Sequence, residues 1–176
     1  MKTSMNPYVH ALWLCGLLAT PVASADEETV LAGLKGFKEV PSISSPALGQ
    51  FRAAIDRNAG TISYELSYSG LTGDVQQAHI HVGQRSVNGG VSVFLCQTEA
   101  APDPTGLAPR CPQGGRVTGI LQAANMIDGP IVNQGVEPGQ FNELIRAIRA
   151  GVTYVNVHSS TFPGGEVRGQ LLLEEP

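Results

Sequence analysis

Beyond its first 25 residues the chain has no apolar run approaching the ~20 residues of a membrane-spanning helix. It has few positive charges, 11 Lys and Arg against 15 Asp and Glu, and no cluster of them in sequence. Nucleic acids and anionic lipid surfaces need clustered Lys/Arg, so both are excluded as expected partners. Internal repeats, heptads and low-complexity tracts are absent. So are a P-loop, a dinucleotide fingerprint, a His-Glu-x-x-His zinc motif and a Gly-x-Ser-x-Gly elbow, and no residue set argues for catalysis.

What is present begins with a leader. Lys2 precedes the short apolar run Ala11–Ala19, and Ala23-Ser24-Ala25 matches a small-x-small cleavage pattern ahead of Asp26-Glu27-Glu28. Residues 1–25 are expected to be a secretory signal peptide and 26–176 one β domain, periplasmic or secreted, with no membrane span after cleavage. Losing Lys2 leaves 10 basic residues against 15 acidic, a net of −5. Cys15 leaves with the leader, so two cysteines remain, Cys96 and Cys111. An even count in an exported chain predicts a disulfide; a Cys/Cys metal site is the weaker alternative at this spacing.

Short alternating segments separated by turn residues dominate the rest. Strands are predicted over 50–56, 61–68, 76–82, 91–96, 115–121 and 166–173, with an earlier one over 30–38. Phe141, Leu144, Ile145 and Ile148 follow helical spacing instead, which predicts a helix over Gln140–Ala150 ended by Gly151. About seven strands and one short helix predict an all-β, Greek-key, immunoglobulin-like β-sandwich.

The chemistry lies in the histidines. His79 and His81 share one strand face, with Ala78, Ile80 and Val82 on the other; in Val155-Asn156-Val157-His158 the valines face inward and His158 outward. All three point away from the apolar face, toward what parity alone reads as solvent. Three neutral imidazoles converging on one ion suit copper best, with zinc as the alternative. Free imidazoles titrate near ~6.5, so such a site is expected to weaken as pH falls through that value. Asn156, Gln77 and Glu166 are candidate outer partners of the ligands, and Met126 a candidate soft axial one. Against this, Glu166 and Arg168 read more simply as a Glu–Arg surface pair, and Met126 as a gap-filler.

The segments Leu34-Lys35-Gly36, Glu39-Val40-Pro41, Ala78–Gly83, Asn88-Gly89-Gly90, Gly151–His158 and Pro163–Leu171, in this order, resemble the CHRD domain first noted in chordin. The resemblance implies a compact β-sandwich and an extracellular binding role, with no reaction to inherit. The histidine pattern is more distantly similar to copper-zinc superoxide dismutase, which implies copper ligation by His79, His81 and His158. A fourth, bridging histidine and a His/Asp zinc cluster are missing, which disfavours a dismutase-like redox enzyme. The leading reading is an exported metal-binding protein for copper storage, delivery or tolerance. A metal-free binding or adhesion module, engaging another exported protein, is the alternative.

Overall fold

The computed structural model describes residues 27–174; the leader expected over 1–25 lies outside them. Nine strands and one α-helix occur in the order β1 (Glu27–Lys35), β2 (Leu48–Asp56), β3 (Thr61–Ser69), β4 (Val75–Val82), β5 (Gly90–Cys96), β6 (Gly115–Leu121), α1 (Phe141–Arg149), β7 (Thr153–Ser159), β8 (Val167–Gln170) and β9 (Leu172–Leu173). The sheet runs β5-β4-β7-β8-β1-β2-β3-β6, with β9 beside β1, and every strand pairing is antiparallel. An isolated bridge from Val93 in β5 to Met126, a few residues past β6, brings the two ends of the sheet close to closure. The result is an all-β, sandwich- or barrel-like fold with one short helix, as the alternation predicts.

The interior is the apolar side of this alternation. Ile62, Tyr64, Leu66 and Tyr68 of β3 are all buried, as are Ala78, Ile80, Val155 and Val157. Phe141, Leu144, Ile145 and Ile148 turn the helix stripe into the same core, while Arg146 pairs with Glu143 on its exposed side. Gly151 takes φ +68°, the left-handed conformation that lets the chain leave the helix and enter β7. Burying one such aliphatic side chain stabilises by about 1.5–3 kcal/mol. The boundaries predicted for β1 shift: the strand ends at Lys35, and Gly36–Lys38 form a 3-10 turn. A Cβ on Gly36 would lie 2.4 Å from the Ile43 carbonyl oxygen, so the close return of the following loop, not the strand pattern, decides that end.

Cys96 and Cys111 form the predicted disulfide, 15 residues apart. The loop between them is stitched internally: the Asp103 carboxylate accepts N–H bonds from Thr105, Leu107 and Ala108. Its Ala108 packs with Ile127 on Phe94, forming a second, smaller apolar cluster on the far face of β5. The disulfide therefore holds a cover over the face opposite the main core. Replacing both cysteines with alanine is expected to cost about 3 kcal/mol, the chain-entropy value for a ~15-residue loop. Urea unfolding of the oxidised protein and the double variant measures it; equal midpoints would contradict that role.

Candidate metal centre

β4 and β7 are adjacent and antiparallel, with His79 opposite Asn156, His81 opposite Tyr154 and Gln77 opposite His158. Opposed residues in such a ladder project to the same side. Strand pairing thus brings His158 beside His79 and His81, from which it is remote in sequence. Along β5 the register slips twice, so Phe94 opposes His79 and Val91 opposes His81. Such bulges re-aim side chains on the strand that carries them.

The parity of the histidines matches the sequence reading, but the face they occupy is not open to solvent. His79, His81 and His158 are only 2, 7 and 6% exposed. Phe94 stands edge-on to His79 with ring centres 4.3 Å apart, and Tyr154 lies flat on His81 at 4.6 Å. Strand alternation distinguishes two faces; only the loops packed over this one, from residues distant in sequence, decide that it is dry.

One ring nitrogen from each histidine lies within 4.8 Å of the others. An ion bound at 2.0–2.1 Å by each nitrogen needs separations between about 2.9 Å (ligands at right angles) and about 4.1 Å (opposite ligands), so a small rotation of the rings closes the set. The hydrogen bonds prepare the donors. His81 Nδ1 faces the Gly89 carbonyl at 3.0 Å and His158 Nδ1 the Pro163 carbonyl at 2.8 Å. A carbonyl only accepts, so each Nδ1 carries the proton and each Nε2 is left with its lone pair. His79 Nδ1 lies 3.2 Å from His158 Nε2. The Nε2 atoms of His79 and His81 are buried with no hydrogen-bond partner. Unpartnered buried acceptors are costly, and a cation among them would satisfy both.

Burial also keeps the rings neutral. Desolvation, then the neighbouring His158 and His81, pushes the His79 pKa down to about 2. Desolvation likewise takes His81 down to about 4, despite the Gly89 bond, and lowers His158. Protons therefore compete poorly for these nitrogens, a departure from the free-imidazole expectation.

The outer partners divide. Asn156 is buried at the centre, its Oδ1 3.0 Å from His158 Nε2. Beside it lies Glu39, whose Oε1 is buried with no hydrogen-bond partner and whose carboxyl is pushed up to about 7 by burial, against the pull of Arg168. Glu166 does not reach the histidines. The chain bends before β8 begins at Val167, so its carboxylate leaves the parity of Arg168 and accepts bonds from Ser45, Thr72 and Ser159. Nor do Glu166 and Arg168 form a surface pair: both are buried, and Arg168 lies 3.3 Å over the Tyr154 ring. Met126 belongs to the main apolar core rather than to the histidine face, and Gln77 is only half-buried beside His158. Sequence reasoning missed Glu39 and Phe94 as neighbours of this site. Phe94 was readable only by pairing β4 with β5, and Glu39 arrives on a loop that carries no periodicity.

The CHRD domain family matches residues 30–171, essentially all of the described structure, and the chain belongs to that family. No curated protein and no solved structure matches it.

Proposed function

We propose that this CHRD-domain protein is an exported metal-binding protein that holds one copper ion at His79, His81 and His158. The observation that carries this reading is the convergence of three buried, neutral imidazoles, two with unpartnered Nε2 atoms. Neutral nitrogen donors favour copper over the other divalent first-row ions, with zinc next in suitability. When bound, the ion would accept three nitrogen lone pairs. Around it, the Gly89 and Pro163 carbonyls hold two ring tautomers, Asn156 packs against His158, and Phe94 and Tyr154 keep water off the rings. Export is supported by the leader pattern over 1–25 and by the disulfide, which suits the periplasm or the cell exterior. Storage, delivery or tolerance fits this ligand set better than catalysis.

Titrating copper and zinc into the protein lacking residues 1–25 is expected to show one ion per chain. His79→Ala and His158→Ala should each weaken binding by about a hundredfold or more, beyond the loss typical of an outer-partner change. Circular dichroism confirms that the variants fold. Equal binding by all three proteins would sink the site and leave the metal-free binding module as the better reading. Asn156→Leu, which touches no metal directly, should cost about 10–100-fold on the same titration.

A further inference from the structure

Outside the leader the chain carries 10 Lys and Arg. Six of them, Arg52, Arg57, Arg110, Arg116, Arg146 and Arg149, each face a carboxylate. Among the described residues the other four, Lys35, Lys38, Arg85 and Arg168, are in no ion pair, and they lie together. Lys38, Arg85 and Arg168 line one pocket of about 240 Å³ with Glu39, Ser42 and Ser86, and Lys35 is the β1 partner of Arg168. In a chain with net charge −4, random placement would leave such cations beside acids.

The pocket is also held in shape. Arg168 donates to the Gln84 and Val87 carbonyls and to Asn88 Oδ1, and Asn88 in turn donates to the Val40 carbonyl. One guanidinium thus pins the 84–88 loop, which is tied to the 36–42 segment on the opposite side. That commitment leaves the Arg168 Nε–H and one Nη1–H with no partner among the described residues. Ser86 adopts φ +62°, the one non-glycine positive φ among the described residues, and so places Arg85 and its own hydroxyl at the rim. Lys38 donates once, to the Gly33 carbonyl, and keeps two N–H groups. Burial and then the charges of Lys35 and Arg85 depress its pKa, so the cations repel one another there. Glu39 is the single acid, beside the Asn156 amide, with its Oε1 buried and without a hydrogen-bond partner.

We infer that this pocket binds a small oxyanion, of phosphate or carboxylate type, between Lys38, Arg85 and Arg168. Three cations around one acid favour a compact negative ligand, and hydroxyls from Ser42 and Ser86 supply further donors. The volume falls below that of drug-sized sites and suits a molecule of few atoms. Phe37, 72% exposed at the rim, offers an apolar edge to any carbon the ligand carries. The proposal stands apart from the metal reading, although Arg168 and Glu39 form the wall nearest the histidines.

Calorimetric titration with inorganic phosphate and, separately, with succinate at low ionic strength tests it. Saturable one-to-one binding of at least one probe is expected, and the tighter of the two identifies the phosphate or carboxylate class. Lys38→Gln and Arg85→Gln, both at exposed positions, should each weaken it about tenfold or more, the scale of one charge-assisted hydrogen bond. Arg116→Gln, an equal charge change on β6, should stay within about twofold, and His158→Ala should retain binding whether or not the histidines hold a metal. No saturable binding of either probe would overturn the proposal. An equal loss in Arg116→Gln would overturn it too, since net charge and not the pocket would then be responsible.

Discussion

Acidification from about pH 6.5 to about pH 4.5 is expected to strip the metal-free protein of up to about 3 kcal/mol of stability, while metal-loaded protein resists over the same range. The unfolded chain takes up protons on His79, His81 and His158 near their ordinary values of ~6.5. In the folded protein burial holds His79 at about 2 and His81 at about 4, so these two rings stay neutral, and it lowers His158 in the same direction. A depressed pKa contributes stability that is whole above the unfolded value and is lost as pH falls toward the folded one. Glu39 acts oppositely: raised to about 7, it takes its proton in the folded state first, which favours folding between about pH 7 and its unfolded value of ~4.3. Counting His79 and His81 alone, two protons taken up by the unfolded state against one by the folded state leave a net of about one. At 1.36 kcal/mol per proton per pH unit, two units give the figure above. That is a large fraction of the stability of a typical domain. Urea unfolding at several pH values, with and without copper, reads the effect. Stability that is flat or rises as pH falls through this window would show that the rings are not buried neutral bases.

The second large effect is expected at a residue that sequence parity associates with the histidines and the structure removes from them. Glu166→Ala should destabilise by about 3–5 kcal/mol, the cost of breaking a buried charged network from one side. The Glu166 carboxylate is fully buried and accepts from Ser45 Oγ at 2.6 Å, the Thr72 amide at 2.9 Å, Thr72 Oγ1 at 3.0 Å and Ser159 Oγ. Burial alone would raise its pKa, but these four donors outweigh that and hold it below the usual range. It ties the 45 and 72 loops to the end of β7, and removing it leaves the Thr72 amide and three hydroxyls, the buried Ser159 among them, short of an acceptor. Glu166→Gln, which keeps a carbonyl acceptor, should lose markedly less. Chemical denaturation ranks the two, and metal titration of the glutamine variant should match the parent. A loss below about 1 kcal/mol for the alanine variant, or a metal defect in the glutamine variant, would restore Glu166 to the site.

Much of this protein is legible from alternation. Ile62, Tyr64, Leu66 and Tyr68 announce a half-buried strand, and Phe141, Leu144, Ile145 and Ile148 a helix, because both periods are properties of the local backbone. The same logic separates His79, His81 and His158 from the core face, and the two remaining cysteines foretell their bond. Which face is dry, however, depends on what packs over it. Residues 36–42, 84–88 and the disulfide-tied loop approach that face from remote positions, and loops carry no period to reveal their landing place.

Parity also fails where the strand itself fails. One bend before Val167 sends Glu166 to Ser45 and Thr72 while Arg168 stays beside Tyr154. By itself the sequence determined the strands, the helix, the disulfide and which side chains oppose the core. Only the tertiary structure decided that the histidines are buried, that Glu39 and Asn156 stand beside them, and that three cations outside any ion pair share one pocket. The first set rests on neighbours along the chain; the second rests on contacts between segments whose separation in sequence says nothing of their distance in space.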